Sequence, residues 1–172
     1  QGPYGVDKGA AIRVSPTLII SGETGVDDAA IANTEIPNAV IRKGGCSKLV
    51  GVTVIDYENH QKDFDLFLMG KNNTALGPID AAANISDANL KLNKVLGAFD
   101  VDWSQYKVGV GSLASIHRMG YISTGEDQQG VFPIMLQAET DSTSVYFSIL
   151  QRAAVTWTAA DSLEFVFHIE YL

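Results

Sequence analysis

The sequence predicts an all-β protein, an antiparallel β-sandwich of jelly-roll or Greek-key type carrying one short α-helix. Three observations predict it. Residues favoured in strands fall in eight or nine short runs, several of which alternate apolar and polar with a period of two. Sixteen glycines are scattered between those runs, where they supply turns. Only one stretch has helical spacing with caps, so the strand–helix–strand rhythm of a parallel sheet is missing.

The elements follow in chain order. Residues 1–45 are read as an extended amino-terminal arm with the first strands, and residues 46–172 as the sandwich, together one domain. In the run 12–20, Ile12, Val14, Leu18 and Ile20 are apolar while Pro16 removes a ladder donor, which places this strand at an edge. Ser21–Thr34, with Gly22, Gly25 and the Asp27-Asp28 pair, reads as a surface loop, and Ile36–Ile41 is again apolar. Lys48–Tyr57 is the strongest strand. A polar turn at Glu58–Lys62 leads to Asp63–Met69, where Phe64, Leu66 and Leu68 share one face, so the two runs are expected to form a hairpin.

After a polar connection from Gly70 to Asn84, the spacing predicts a helix over Ser86–Gly97. Ser86 caps it, Asp87 sits in its first turn, Leu92, Val95 and Leu96 recur at helical spacing, and Gly97 stops it. The remaining strands are expected at Gly109–Met119, Tyr121–Ser123, Val131–Ala138, Ser144–Arg152, Val155–Thr158 and Leu163–Tyr171. The last alternates most strongly, with Leu163, Phe165, Phe167, Ile169 and Tyr171 opposing Glu164, Val166, His168 and Glu170. One of its faces must be buried.

Composition narrows the function. At 172 residues, 46% hydrophobic and 19% charged, the chain has enough apolar material for one core. Twenty acidic against twelve basic residues give a formal charge of −8, and no cationic run exceeds Arg42-Lys43. Nucleic acid is therefore not an expected partner, because a polyanion binds through clustered cations that release its counterions. The apolar runs are far shorter than the roughly 20 residues that cross a bilayer, so no membrane span is expected. The start, Gln1-Gly2-Pro3-Tyr4-Gly5, has neither the basic head nor the apolar core of a signal peptide. Without a secretory route the sequons Asn72-Asn73-Thr74 and Asn84-Ile85-Ser86 carry no weight.

No catalytic constellation stands out. His60, His117 and His168 fall in different elements without metal-ligand spacing, and the single cysteine, Cys46, makes neither a disulfide nor a thiolate metal site. Cys46 is expected as a strand-edge core thiol. The string Gly109-Val110-Gly111-Ser112-Leu113 fits neither a nucleophile elbow nor a phosphate loop. The carboxylate pairs Asp27/Asp28, Asp63/Asp65, Asp100/Asp102 and Glu126/Asp127 lack the spacing of a calcium loop and read as solvated faces. No enzyme activity, cofactor or metal is expected. Trp157, between two threonines in a small-residue strand, is the aromatic singled out for an interface, together with Ile12, Val14, Leu18 and Ile20.

Four segments carry a family resemblance: Leu49-Val50-Gly51-Val52-Thr53-Val54-Ile55-Asp56, Phe64-Asp65-Leu66-Phe67-Leu68, Ile85-Ser86-Asp87-Ala88-Asn89-Leu90 and Ala154-Val155-Thr156-Trp157-Thr158-Ala159-Ala160-Asp161-Ser162-Leu163. Their order resembles jelly-roll cement or decoration proteins of tailed-bacteriophage heads. The resemblance implies a structural virion protein, a homotrimer or less often a dimer, that binds the major capsid protein on the head exterior and is soluble in the host cytoplasm before assembly. Its apolar start would lie across a neighbour by strand addition. Two other readings of the same sandwich are a carbohydrate-binding or calcium-dependent lectin-like domain and a phage tail or baseplate component.

Overall fold

The computed structural model describes residues 9–20, 22–104, 107–109, 115–120 and 132–172. In chain order the elements are β1 (Gly9–Val14), β2 (Glu23–Thr24), β3 (Thr34–Ile36), β4 (Cys46–Asp56), β5 (Phe64–Met69), α1 (Asp87–Asn93), β6 (Val95–Val101), β7 (Lys107–Gly109), β8 (Ser115–Gly120), β9 (Ile134–Gln137), β10 (Val145–Gln151), β11 (Val155–Thr156) and β12 (Leu163–Tyr171). One sheet runs β1-β12-β4-β8-β7, with β9 also on β4. The other runs β3-β10-β5-β6, and every pairing in both is antiparallel. A two-stranded ribbon joins β11 to β2.

This is a jelly roll. The strand orders β1-β12-β4-β8 and β3-β10-β5-β6 give the two four-stranded layers of that fold, and the chain crosses between sheets from β3 to β4, β4 to β5, β6 to β7 and β9 to β10. The long β5–β6 connection holds α1. The all-β sandwich expected from the pattern of short alternating strands is therefore present.

The two inner faces meet in a single core, in which side chains from both sheets interdigitate across a layer roughly 10 Å thick. Phe64 of β5 and Phe147 of β10 meet Phe165 and Phe167 of β12, with ring centroids 5.9 Å apart for Phe64–Phe165 and 5.0 Å for both Phe147 contacts. All four rings are fully buried. Alternation along β12 holds except at Val166, which faces the opposite side and is still 94% buried, its exposure being 6%.

Three expectations change. The Lys48–Tyr57 and Asp63–Met69 runs form no hairpin: β4 pairs β12, β8 and β9 in one sheet, while β5 pairs β10 and β6 in the other. Both strands have one strongly apolar face, and placing them in opposite sheets turns Val52 and Val54 toward Phe64, Leu66 and Leu68 across the core. The connection is an arch, not a tight turn. Asn59 and Gln61 adopt left-handed φ angles of 57° and 52°, and the buried Asp56 carboxylate accepts from Glu58 N and Gln61 N at 2.9 and 2.8 Å.

The helix is shorter than Ser86–Gly97. Ser86 caps it as expected, accepting from Asn89 N, but it ends at Asn93, and Lys94 turns the chain with a left-handed φ of 52°. Val95, Leu96 and Gly97 then enter β6 along β5. Phe99 and Val101 are buried by that pairing, which outweighs the helical spacing of Val95 and Leu96.

The amino-terminal stretch is also less free than an arm. Residues Gly9–Val14 form the edge strand, paired residue by residue with β12 from Gly9 opposite Glu170 to Val14 opposite Phe165. Leu18 N donates to Ala160 O at 2.9 Å, so the chain stays docked past Pro16. The expected strand at Tyr121–Ser123 lies outside the described residues.

Candidate functional site

The densest polar cluster sits at the β4–β5 arch. Glu58 projects from it toward the loop after β11, where its carboxylate accepts from Thr158 N at 3.0 Å, Ala159 N at 2.8 Å and the Ser162 hydroxyl, while the His60 ring lies 2.9 Å from Oε2. The His60 ring packs edge-on against Trp157 with centroids 5.0 Å apart. Burial pushes the Glu58 pKa up, but the hydrogen bonds from Ser162, Ala159, Thr158 and His60 outweigh it and bring the value down to about 2. Glu58 is thus a fixed anion.

That chemistry is structural. A proton donor at neutral pH needs a raised carboxyl pKa, the opposite of the shift here. The single Ser162 hydroxyl proton is shared between Glu58 and the Ala159 carbonyl, and a carboxylate with a pKa of about 2 is too weak a base to take it. The cluster ties the arch to the β11–β12 loop. Sequence reasoning missed it because Glu58 and Ser162 are 104 positions apart.

Several other carboxylates are also engaged. Arg152 bridges Asp27, at 2.6 Å, and Asp65. Both carboxylates raise its pKa, Asp65 through a hydrogen bond above all, and the ion pairs lie on the partly exposed outer side of the β3-β10-β5-β6 sheet. Asp28 accepts from Gly25 N at 2.9 Å, Asp63 from Trp103 N at 2.8 Å, and Asp102 from Ser104 N at 2.7 Å. Asp63 and Asp65, read as a solvated face, instead hold the β5–β6 end and the Arg152 bridge. Glu126/Asp127 lie outside the described residues. His168 Nε2 lies 3.0 Å from the Thr53 hydroxyl. Among the described residues no group of three or more His, Cys, Asp and Glu is arranged to hold a metal ion. Cys46 begins β4 and is half-buried.

The five residues singled out for an interface separate. Leu18 and Trp157 are buried at 3% exposure each, as part of the protein's own core. Ile12 and Val14 are half-buried, packing inward from β1 against the same core. Ile20 alone of the five is well exposed, at 54%. The structure does not gather them into one patch, but it supplies a backbone feature at the same place. Among the described residues β1 pairs with β12 alone, so its other edge is open along six residues with a single charged side chain, Arg13, which pairs outward with Glu164. An edge of this length without proline, bulge or inward charge is a template for an added strand.

Compared with protein-family models and with curated proteins, the chain matches none. Among the described residues no helix is long and apolar enough to cross a membrane.

Proposed function

We propose that this protein is a structural virion component, a decoration or cement protein that binds the capsid lattice of a tailed phage through protein contacts and assembles as a homo-oligomer. The observation that carries the reading is the open, weakly charged β1 edge on a jelly roll whose densest ionisable clusters, at Glu58 and Arg152, are tied into its own framework. Jelly rolls serve both in viral capsids and in lectins, so the fold itself favours neither; the resemblance of segments 49–56, 64–68, 85–90 and 154–163 favours the capsid. In this reading β1 receives a strand from a neighbouring subunit, with main-chain hydrogen bonds giving affinity. The donor is a neighbour's segment rather than this chain's β1, which is already in the sheet.

Ala11 is exposed on β1 and offers a direct test. Ala11→Lys places a charge on the edge without touching the core, so the variant is expected to fold as the parent and to lose co-sedimentation with capsids. If the folded variant co-sediments as well as the parent, the β1 edge is not the contact. If the parent itself binds no capsid, the capsid assignment fails.

A further inference from the structure

On the outer side of the β3-β10-β5-β6 sheet, the end of β5 and the β9–β10 loop border a cleft of about 470 Å³ that is open to solvent, lined by Gly70, Lys71, Asn72, Glu139–Ser142 and Tyr146. That volume falls within the roughly 300–1,000 Å³ of small-molecule sites. Its shape is fixed by the backbone. Gly70 N and Lys71 N donate to Lys94 O and Asn93 O, and Ser142 N donates to Glu139 O. A Cβ at Gly70 would lie 2.9 Å from the Gln137 carbonyl oxygen, so glycine is what lets the β5 end close against β9.

The groups facing the cleft fall into two sets. Glu139 is neutralised by Lys94 at 2.5 Å, and Glu35, opposite Tyr146 on β3, accepts from the Ser144 hydroxyl at 2.5 Å. Left over are the Lys71 ammonium, the Asp141 carboxylate, the Thr140 hydroxyl, the Asn72 amide nitrogen and the Tyr146 hydroxyl, none of which is engaged by another described side chain. Donors and acceptors are thus both available, and among the described residues lining the cleft the free cation Lys71 is matched by the free anion Asp141. Such a site has no net preference for a polyanion or a polycation. Burial, with Glu35 and Asp141 nearby, raises the Tyr146 pKa, so its hydroxyl stays protonated and able to donate. Its half-buried ring adds an apolar wall with a polar tip.

We propose that this cleft is a saccharide-binding site, in which the Tyr146 ring packs against a sugar face while Asp141, Asn72, Thr140 and Lys71 hydrogen-bond its hydroxyl groups. An uncharged polyol is the ligand that uses an aromatic wall together with balanced donors and acceptors. The site stands apart from the β1 edge and does not depend on capsid binding.

The test is a screen of the labelled full chain on an array of bacterial and mammalian glycans, with hits measured by saturation-transfer NMR using the free oligosaccharide. At least one glycan is expected to bind. Tyr146→Ala and Asp141→Asn are each expected to weaken it tenfold or more, and Tyr146→Phe less than Tyr146→Ala, because it keeps the ring. Asp141 is exposed, so Asp141→Asn tests the site even if Tyr146→Ala fails to fold. Binding by no glycan on the array, or unchanged binding by folded Asp141→Asn, would overturn the proposal. A variant that loses the sugar is expected to co-sediment with capsids as the parent does.

Discussion

At the residue scale the controlling group is Glu58. Three of its donors come from the remote segment 158–162 and the fourth, His60, from two positions along the same arch, and together they hold the carboxylate ionised in the folded chain at pH values where it protonates in the unfolded one. Its pKa is about 2 folded against 4.5 unfolded, so the stabilisation is fully present above about pH 4.5 and is lost as pH falls toward 2. A shift of that size corresponds to roughly 3 kcal/mol, and solvent screening at this near-surface corner reduces it to about 1–2 kcal/mol. Glu58→Gln is therefore expected to cost about 1–2 kcal/mol in urea unfolding at pH 7 and about a quarter of that at pH 2.5. An equal cost at both pH values would show that the charge is not what stabilises the arch. Phe165 is the second residue on which much depends, because its ring touches Phe64, Phe147 and Phe167 from both sheets. Phe165→Ala is expected to cost about 3–5 kcal/mol, read as a lower denaturation midpoint.

Individual elements depend on less obvious residues. Asn93, fully buried at the end of α1, accepts from Asn73 N and Thr74 N at 3.0 Å each and donates to Thr74 O at 2.7 Å, so one amide satisfies three backbone groups of the β5–β6 connection. Asn93→Ala leaves Asn73 N and Thr74 N without this acceptor, while Thr74 O keeps Asn33, at a cost of about 1–2 kcal/mol, and limited proteolysis is expected to cut faster within 71–84 than in the parent. Equal cutting rates would place the anchor elsewhere. In the sequence Asn93 is one polar residue inside a helical pattern. Nothing local marks it, because its partners lie 19 and 20 positions away. The same limit shortened the helix. Val95 and Leu96 satisfy helical spacing, and only the presence of β5 alongside makes a strand the better use of Phe99 and Val101. β12, by contrast, was legible to the residue, since a nine-residue alternation with four inward aromatic and aliphatic side chains marks one face as the core face.

For the whole molecule, the two sheets share one core, so neither is expected to unfold by itself. Trp103, after β6, and Trp157, after β11, report from different connections, and both are buried. Tryptophan fluorescence and far-ultraviolet circular dichroism are expected to give coincident urea transitions. A fluorescence change preceding the loss of strand signal would mean that the arch and its Trp157 contact open separately. The candidate surfaces also belong to this scale. Among the described residues the sheet ends at β1, which leaves its outer edge open, and the proposed saccharide cleft depends on the β5 end, the β9–β10 loop and Tyr146 coming together from distant parts of the chain.

The sequence by itself determined that the protein is built from short antiparallel strands, which face of β5 and β12 is buried, and where α1 begins. Those properties follow from local periodicity, capping and turn chemistry, which act over a few residues. Partner choice was decided only in the tertiary structure. A period of two says that a strand has an apolar face but not which strand lies beside it, so β4 and β5 could be read as a hairpin when they belong to opposite sheets. The β1 edge follows the same rule. Its apolar residues were visible as a pattern, but Ile12 and Val14 turn out to face the core, and what remains open to a partner is the backbone edge that no side-chain pattern encodes.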